Sequence, residues 1–415
     1  MKKVVTIALL GTILSISSTT TELAHASDTT SHVAPATLAA QNPEDVLKNR
    51  IKFVNDKNWG AFLDTSVDAD KPILNQFLQS DISRKNKDGV FAIQNAKVVG
   101  VKELSLDESS NYAALSKYIE KYGQAKVYYV AVDYKVDKES KYFLNGINYF
   151  LAITVPENGT WKVAEFSSAP VDTITSRKQG FGTTDENQMS QMVSNRHKGL
   201  FLNRSGKVVE RNVGANESTT QELQSNVGAT AINNSHTVPS YIRVWTYNGQ
   251  NIWYYGTGGE HDVSFYYYLK NVLPNEWPKD STTEGWKTGA ECAKMYGWYY
   301  VYNPKHPESG YDVDDTTNDQ VFVAGTELDV STGAINAVGG QGMQRADGTL
   351  FVAFYLAGSY NSTGAAQGWV SQNGSNYLAT NQGKSWTGIL HYYYDQSNYN
   401  SPQGLNNQNM TMFTY

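Results

Sequence analysis

Apolar residues change their spacing several times along this chain, and the changes predict its elements. Val4 to Ile16 is a nearly unbroken apolar run behind Lys2 and Lys3, followed by Ala24-His25-Ala26. Residues 27–41 are rich in Ser, Thr and Ala and have no period. Leu47, Ile51 and Val54 then fall on one helical face, behind Asn42 as a cap and Pro43 in the first turn. Asp70-Lys71-Pro72 opens a second helix, with Ile73/Phe77 and Leu74/Leu78 paired at i, i+4. After residue 90 the period becomes that of strands. Val127 to Val136 alternates around Tyr and Val, Phe143 to Val155 is a long apolar strand, and Asn158-Gly159 is a hairpin turn into Trp161 to Phe166. Helices followed by long antiparallel strands predict an α+β domain over residues 43–171. Asp133 and Glu165 are expected at solvated strand positions.

Residues 172–237 are polar throughout and are expected to form a long, partly disordered connector. One helix is predicted within it, from Asp185 to His197, with His197 exposed between Arg196 and Lys198. From residue 238 to 415 the chain is compact again. Tyr241 to Tyr247 and Asn251 to Tyr255 predict a hairpin around Asn248-Gly249. Val263 to Leu273 starts a helix, and Glu284 to Val301 has helical periodicity through Trp286, Ala290, Ala293 and Gly297. Strands are expected around Val321, Leu350 to Leu356 and Trp369, and a closing helix from Ser375 to Tyr394, interrupted near Gly383. There is no internal repeat.

The first segment has the parts of a cleavable secretory signal peptide over residues 1–26: a basic flank, an apolar stretch and a small-x-small site. Its apolar run is shorter than the roughly 20 residues that cross a bilayer, so release without a membrane anchor is expected, into an extracytoplasmic, cell-wall setting. Residues 27–42 read as a linker. Removing Lys2, Lys3 and Glu22 takes the formal charge from −6 to −7, which argues against a nucleic-acid partner. Cys292 is the only cysteine, which excludes an internal disulfide and a Cys-based zinc cluster. The chain has 28 Tyr and 9 Trp, and seven of the Trp follow residue 240. Flat side chains stack on the apolar faces of sugar rings, although most of these residues are expected in the core.

The element order of residues 43–171 looks like that of the cone-shaped NTF2-like domains. A more specific resemblance covers residues of about 240–400. Val263 to Pro278, ending in Glu276-Trp277-Pro278, is followed by Glu284-Gly-Trp-Lys-Thr-Gly-Ala-Glu-Cys-Ala-Lys-Met-Tyr-Gly297. Asp312-Val-Asp-Asp-Thr-Thr-Asn-Asp-Gln-Val-Phe322, Val370-Ser-Gln-Asn-Gly-Ser and Gly383 to Tyr394 come next. These blocks, in this order, resemble the stage II sporulation protein D / amidase-enhancer family. Glu284, Lys287, Ala290, Ala293 and Tyr296 match its helix motif in register.

The resemblance implies a lytic transglycosylase acting on peptidoglycan glycan strands, in a C-terminal α+β domain with a glycan groove over residues 238–415. Glu276 sits at the family's catalytic position. The chemistry needs one carboxylic acid of raised pKa, and Trp277 and Pro278 beside it would exclude water. Substrate contacts are expected from Lys287 and Lys294, seven apart and so on one helix face, from Tyr296, from Asp315, Thr316, Thr317 and Gln320, and from Ser371 and Gln372. No cofactor is expected. Some family members bind zinc through Cys-His-Cys; here Asp314, Asn318 and Asp319 occupy that neighbourhood, and with His306 distant in sequence no structural zinc is expected. The family's Gly-His-Gly-x-Gly is replaced by Ala365-Ala-Gln-Gly-Trp369, and a Gln of its helix motif by Gly289. These losses open a second reading, a non-catalytic wall-binding module that recruits or stimulates a cell-wall amidase.

Overall fold

The computed structural model describes residues 42–415, apart from 111, 114, 214–235, 361–366 and 396–407. The expected signal peptide and all but the last residue of the linker lie outside the described residues, as does the start of the segment replacing Gly-His-Gly-x-Gly. The fold is mixed α and β, with antiparallel sheets as its largest β component.

A four-stranded antiparallel sheet runs in chain order through β1 (Ile93–Leu104), β2 (Lys126–Val136), β3 (Gly146–Glu157) and β4 (Thr160–Ser168). Asn158 and Gly159 join β3 to β4 with φ of 52° and 76°, the left-handed pair that matches the twist of a tight hairpin. The strands read as continuously apolar because both faces of the sheet are covered. Tyr128, Val130, Val132 and Tyr134 of β2 point to one core, with Leu47 and Ile51 of the helix Pro43–Asn55 and Phe77 of the helix Lys71–Gln79. Val127, Tyr129 and Ala131 point to the other, with Met189 and Val193. The first helix starts where its cap places it: the Asn42 side chain accepts the Asp45 N–H.

Met189 and Val193 come from the expected connector. Its described part is folded: helices Val171–Ser176 and Thr184–Arg196, then a hairpin of β5 (Leu200–Leu202) and β6 (Val208–Arg211). The apolar positions of Thr184–Arg196 are few but fall on one face, and Met189, Met192 and Val193 bury it. His197 is not idle; its Nε2 pairs with Asp172 at 2.9 Å.

The described residues fall in one compact unit. The expected domains meet through core residues: Trp245 joins the sheet's helix-covered core, packing edge-on against Phe77 at 5.8 Å and donating from Nε1 to Gln76. Two buried ion pairs reinforce the joint, Arg50 with Glu308 and Lys141 with Asp312.

The expected hairpin at Asn248-Gly249 is absent. β7 (Tyr241–Thr246) pairs instead with β8 (Gly259–Ser264), and in parallel with β9 (Val313–Asp314). Residues Gly249–Tyr255 form a helix whose cap is Asn248, accepting from the Gln250 N–H. An Asn-Gly pair serves a hairpin or a helix start, and the Asn251 side chain, buried against Asp315 and Phe322, decides for the helix.

The helix Thr283–Tyr302 runs through a third core, buried on all sides from Ala290 to Tyr302. A helix that is apolar all round belongs inside a protein. Around it pack the helices Phe265–Glu276, Asp329–Ala337, Gln372–Gln382 and Trp386–Tyr394. The last two are the expected closing helix, broken at Gly383 with φ of 62°. Val321 is in no strand. Only Phe354–Leu356 of the expected strand forms one (β11), paired in parallel with Trp369–Ser371 (β12), while β10 (Gln341–Arg345) pairs with β13 (Met410–Thr414).

Candidate active site at Glu276

Glu276 ends the helix Phe265–Glu276 because of the two residues after it. A residue before proline is driven out of the helical region, and Trp277, before Pro278, is extended with φ −106° and ψ 142°. Trp277 is 3% exposed, and its ring meets Tyr355 edge-on at 5.4 Å. The Glu276 carboxylate stands beside this wall and accepts the Val321 N–H. Burial pushes its pKa up to about 7, and the Val321 hydrogen bond pulls the other way without reversing the shift.

Three of the expected contacts lie in the elements next to Glu276. Gln320 precedes Val321 and bridges two phenols, accepting from Tyr268 at 2.9 Å and donating to Tyr355 at 2.8 Å. Tyr355 is partly buried, desolvation raises its pKa, and the nearby Glu276 charge adds to the rise. Gln372 donates from Nε2 to the Glu276 carbonyl oxygen, fixing the helix end. Ser371 caps the helix Gln372–Gln382, accepting the Gly374 N–H, and so sets where Gln372 stands.

The other expected contacts are committed elsewhere. Lys287 pairs with Glu284 at 2.8 Å, one turn away on the same helix. Lys294 shares its face only in projection. The helix Asp329–Ala337 covers it, and its ammonium donates to the Val338 and Gln341 carbonyls and pairs with Glu291 at 2.7 Å. It is 3% exposed. Asp315 accepts the Tyr247 and Asn248 N–H groups and the Asn251 amide, holding the helix Gly249–Tyr255 in place. Thr316 donates to Asp314 at 2.6 Å.

Tyr296 packs against Tyr355 with ring centroids 6.2 Å apart, and its hydroxyl belongs to a neighbouring polar cluster. Lys305 donates to its hydroxyl at 3.2 Å and pairs with Asp319, whose other oxygen meets His306 Nε2 at 2.7 Å. Here spacing misled: the short loop that pairs His306 with Tyr311 turns the chain back, so His306, Asp314 and Asp319 offer ligand atoms within 4.8 Å of one another. The Lys305 ammonium already matches the Asp319 charge, so a metal ion at this point would have to compete with it. Burial opposes charge on the His306 ring, and Asp319 overrides it, raising its pKa. The same ion pairs hold Asp319 well below the usual carboxylate range, against its burial.

A cavity lies away from Glu276. It has a volume of about 310 Å³ and lies between the outer edge of β4, two helices of the N-terminal half and the loop 305–318, with Thr317 and Asn318 in its wall. Sequence reasoning missed this site because its walls are far apart in the chain. It also missed Tyr268 and Tyr355 as neighbours of Glu276, since a tyrosine in an aromatic-rich segment carries no signal of what it faces.

No family model matches the chain, and no curated protein matches it in sequence.

Proposed function

We propose that the protein is an exported cell-wall enzyme that cleaves peptidoglycan glycan strands by non-hydrolytic transglycosylation, with Glu276 as its general acid and base. The observation that carries this reading is the Glu276 carboxyl. It is desolvated to a pKa of about 7, fixed by one backbone N–H, and set at the end of a rigid helix beside aromatic walls. An acid of that strength still holds its proton near neutrality and can give it up.

In the proposed reaction, Glu276 protonates the bridging oxygen as the bond from the muramyl C1 breaks, leaving an oxocarbenium-like sugar. The carboxylate so formed removes the proton from the muramyl 6-hydroxyl. Its oxygen bonds to C1, closes a 1,6-anhydro ring and restores the acid without consuming water. The ordered sequence blocks that resemble the sporulation protein D family support this reading. The test is mass spectrometry of purified wall digested by the protein: 1,6-anhydro-muropeptides are expected, and products ending in a reducing muramic acid, or no products, would overturn it.

A second reading, a wall-binding module that recruits an amidase, is favoured by the internal commitment of Lys294 and Asp315, two of the expected substrate contacts. It predicts wall binding, stimulation of amidase and no glycan cleavage.

A further inference from the structure

The 310 Å³ cavity has charges of both signs on its walls. Lys117 and Lys121 lie one turn apart on the helix Leu115–Tyr122 and both face into it. Neither forms an ion pair among the described residues, and each ammonium sits over a neighbouring ring, that of Tyr118 or Tyr122, at 4.9 Å. Across from them are Asp70, which accepts one long hydrogen bond from Asn318 at 3.3 Å, and Glu165, which accepts from the Tyr118 hydroxyl at 2.9 Å. Glu165 is thus a cavity wall and not the solvated strand position its sequence suggests.

The third wall is a sheet edge. β4 is an outer strand of the sheet, and its outer edge is pinned at two points: Val163 bonds with Thr65 and Val67, and Ser168 donates to the Pro304 carbonyl. Between these pins, Ala164, Glu165 and Phe166 border the cavity. Open strand edges flanked by side-chain pockets are where extended peptides dock. Asn318 in its wall and Val321, which holds the Glu276 carboxylate, are three positions apart, at most about 11 Å along the chain.

We propose that this cavity binds the charged end of a short peptide, carboxylate toward Lys117 and Lys121 and ammonium toward Asp70 and Glu165. If the reading of Glu276 above holds, the peptide is the stem carried by the muramyl sugar. The free cavity holds its charges at a cost, in keeping with this. Burial pulls the Lys117 pKa down to about 8 and pushes that of Asp70 up to about 6. A zwitterionic guest would bring each a direct ion-pair partner. A neutral sugar would fit the volume and bring neither.

The test is calorimetric titration of the full chain carrying Glu276→Gln, which keeps turnover out of the measurement. The probe is N-acetylmuramyl-L-alanyl-γ-D-glutamyl-L-lysine, compared with N-acetylmuramic acid and with the same tripeptide amidated and N-acetylated to remove its charges. Saturable binding of the charged tripeptide is expected, weakened about tenfold or more by neutralising the peptide or by Lys117→Gln. Lys48→Gln, on an exposed helix face, should bind like the parent. The proposal is overturned if charged and neutral peptides bind alike, if no saturation appears, or if a folded Lys117→Gln, Lys121→Gln variant binds like the parent. Asp70→Asn gives the same test from the opposite wall should that double variant not fold. The parent chain is assayed for anhydro products in parallel. Peptide binding without product retains the cavity site and removes the role of Glu276, and product without peptide binding does the reverse.

Discussion

Gly289 lies against the indole of Trp277 so closely that a β-carbon on it would stand 2.4 Å from Trp277 Cδ2. The helix Thr283–Tyr302 thereby serves as the floor under the residue next to Glu276. This accounts for glycine at a position where the resembling motif carries glutamine. Gly289→Ala sets two effects against each other. Helix propensity favours alanine by about 1 kcal/mol. Overpacking against a buried ring costs about 1–3 kcal/mol, and the ring cannot swing away beneath Tyr355. Net destabilisation is expected, with a loss of glycan cleavage as Trp277 and Glu276 shift together. Gly333→Ala, in the helix Asp329–Ala337 with open space around it, should be stabilising by the propensity alone. Chemical denaturation of both variants checks the pair.

Glu276→Gln keeps the side chain's shape and removes its acidity. General acid–base catalysis is typically worth about 10²–10⁴-fold, and a fall of that size in the cleavage rate is expected with folding intact. Glu284→Gln is the comparison. Glu284 pairs with Lys287 and accepts the Trp386 N–H, so this variant should lose about 1 kcal/mol or less and keep most of its activity. Equal digestion of wall glycan by parent and Glu276→Gln would remove Glu276 from the mechanism.

The pH dependence comes from the direction of the Glu276 shift. Its pKa rises from 4.5 to about 7 on folding, so the folded state holds the proton more tightly than the unfolded one. The favourable contribution is full below about pH 4.5, declines as pH rises toward 7, and is gone above it. Relative to Glu276→Gln, the parent should therefore lose stability across that window and show no further change at higher pH. On the proposal that the acid form of Glu276 is the proton donor, the cleavage rate should fall as pH rises through about 7. A rate that climbs through pH 7 would mean that the working form is the carboxylate.

Arg50 and Glu308 tie the first helix to the loop before β9, with two hydrogen bonds of 2.9 Å from Nε and side chains 5% and 8% exposed. Arg50→Met leaves the Glu308 charge buried and unpaired, a loss of about 3–5 kcal/mol. Arg50→Met with Glu308→Leu removes both charges and should recover much of it. A double-mutant cycle on unfolding free energies checks this; an additive result would show that the pair does not couple.

The local elements are legible in the chain itself. The Asn42 cap with Pro43, the Asn158-Gly159 turn and the break at Gly383 are set by one or two residues acting on their own backbone, so a single chain of letters carries them. Glu276 is marked as a helix end in the same way, because Pro278 acts on the residue before it. The surroundings of those elements are fixed only when the chain packs. Whether Asn248-Gly249 turns a hairpin or starts a helix depends on Asp315, 67 residues from Asn248. Lys294 and Lys287 share a helical face by spacing, yet one is sealed under a neighbouring helix and the other is not. His306, Asp314 and Asp319 meet through a loop that their spacing does not reveal. The pKa of Glu276 rises because packing excludes water from around its carboxyl, and the cavity exists because β4 and the loop 305–318 stop short of closing on each other. Desolvation and void space are properties of assembled surfaces, and no window of sequence contains them.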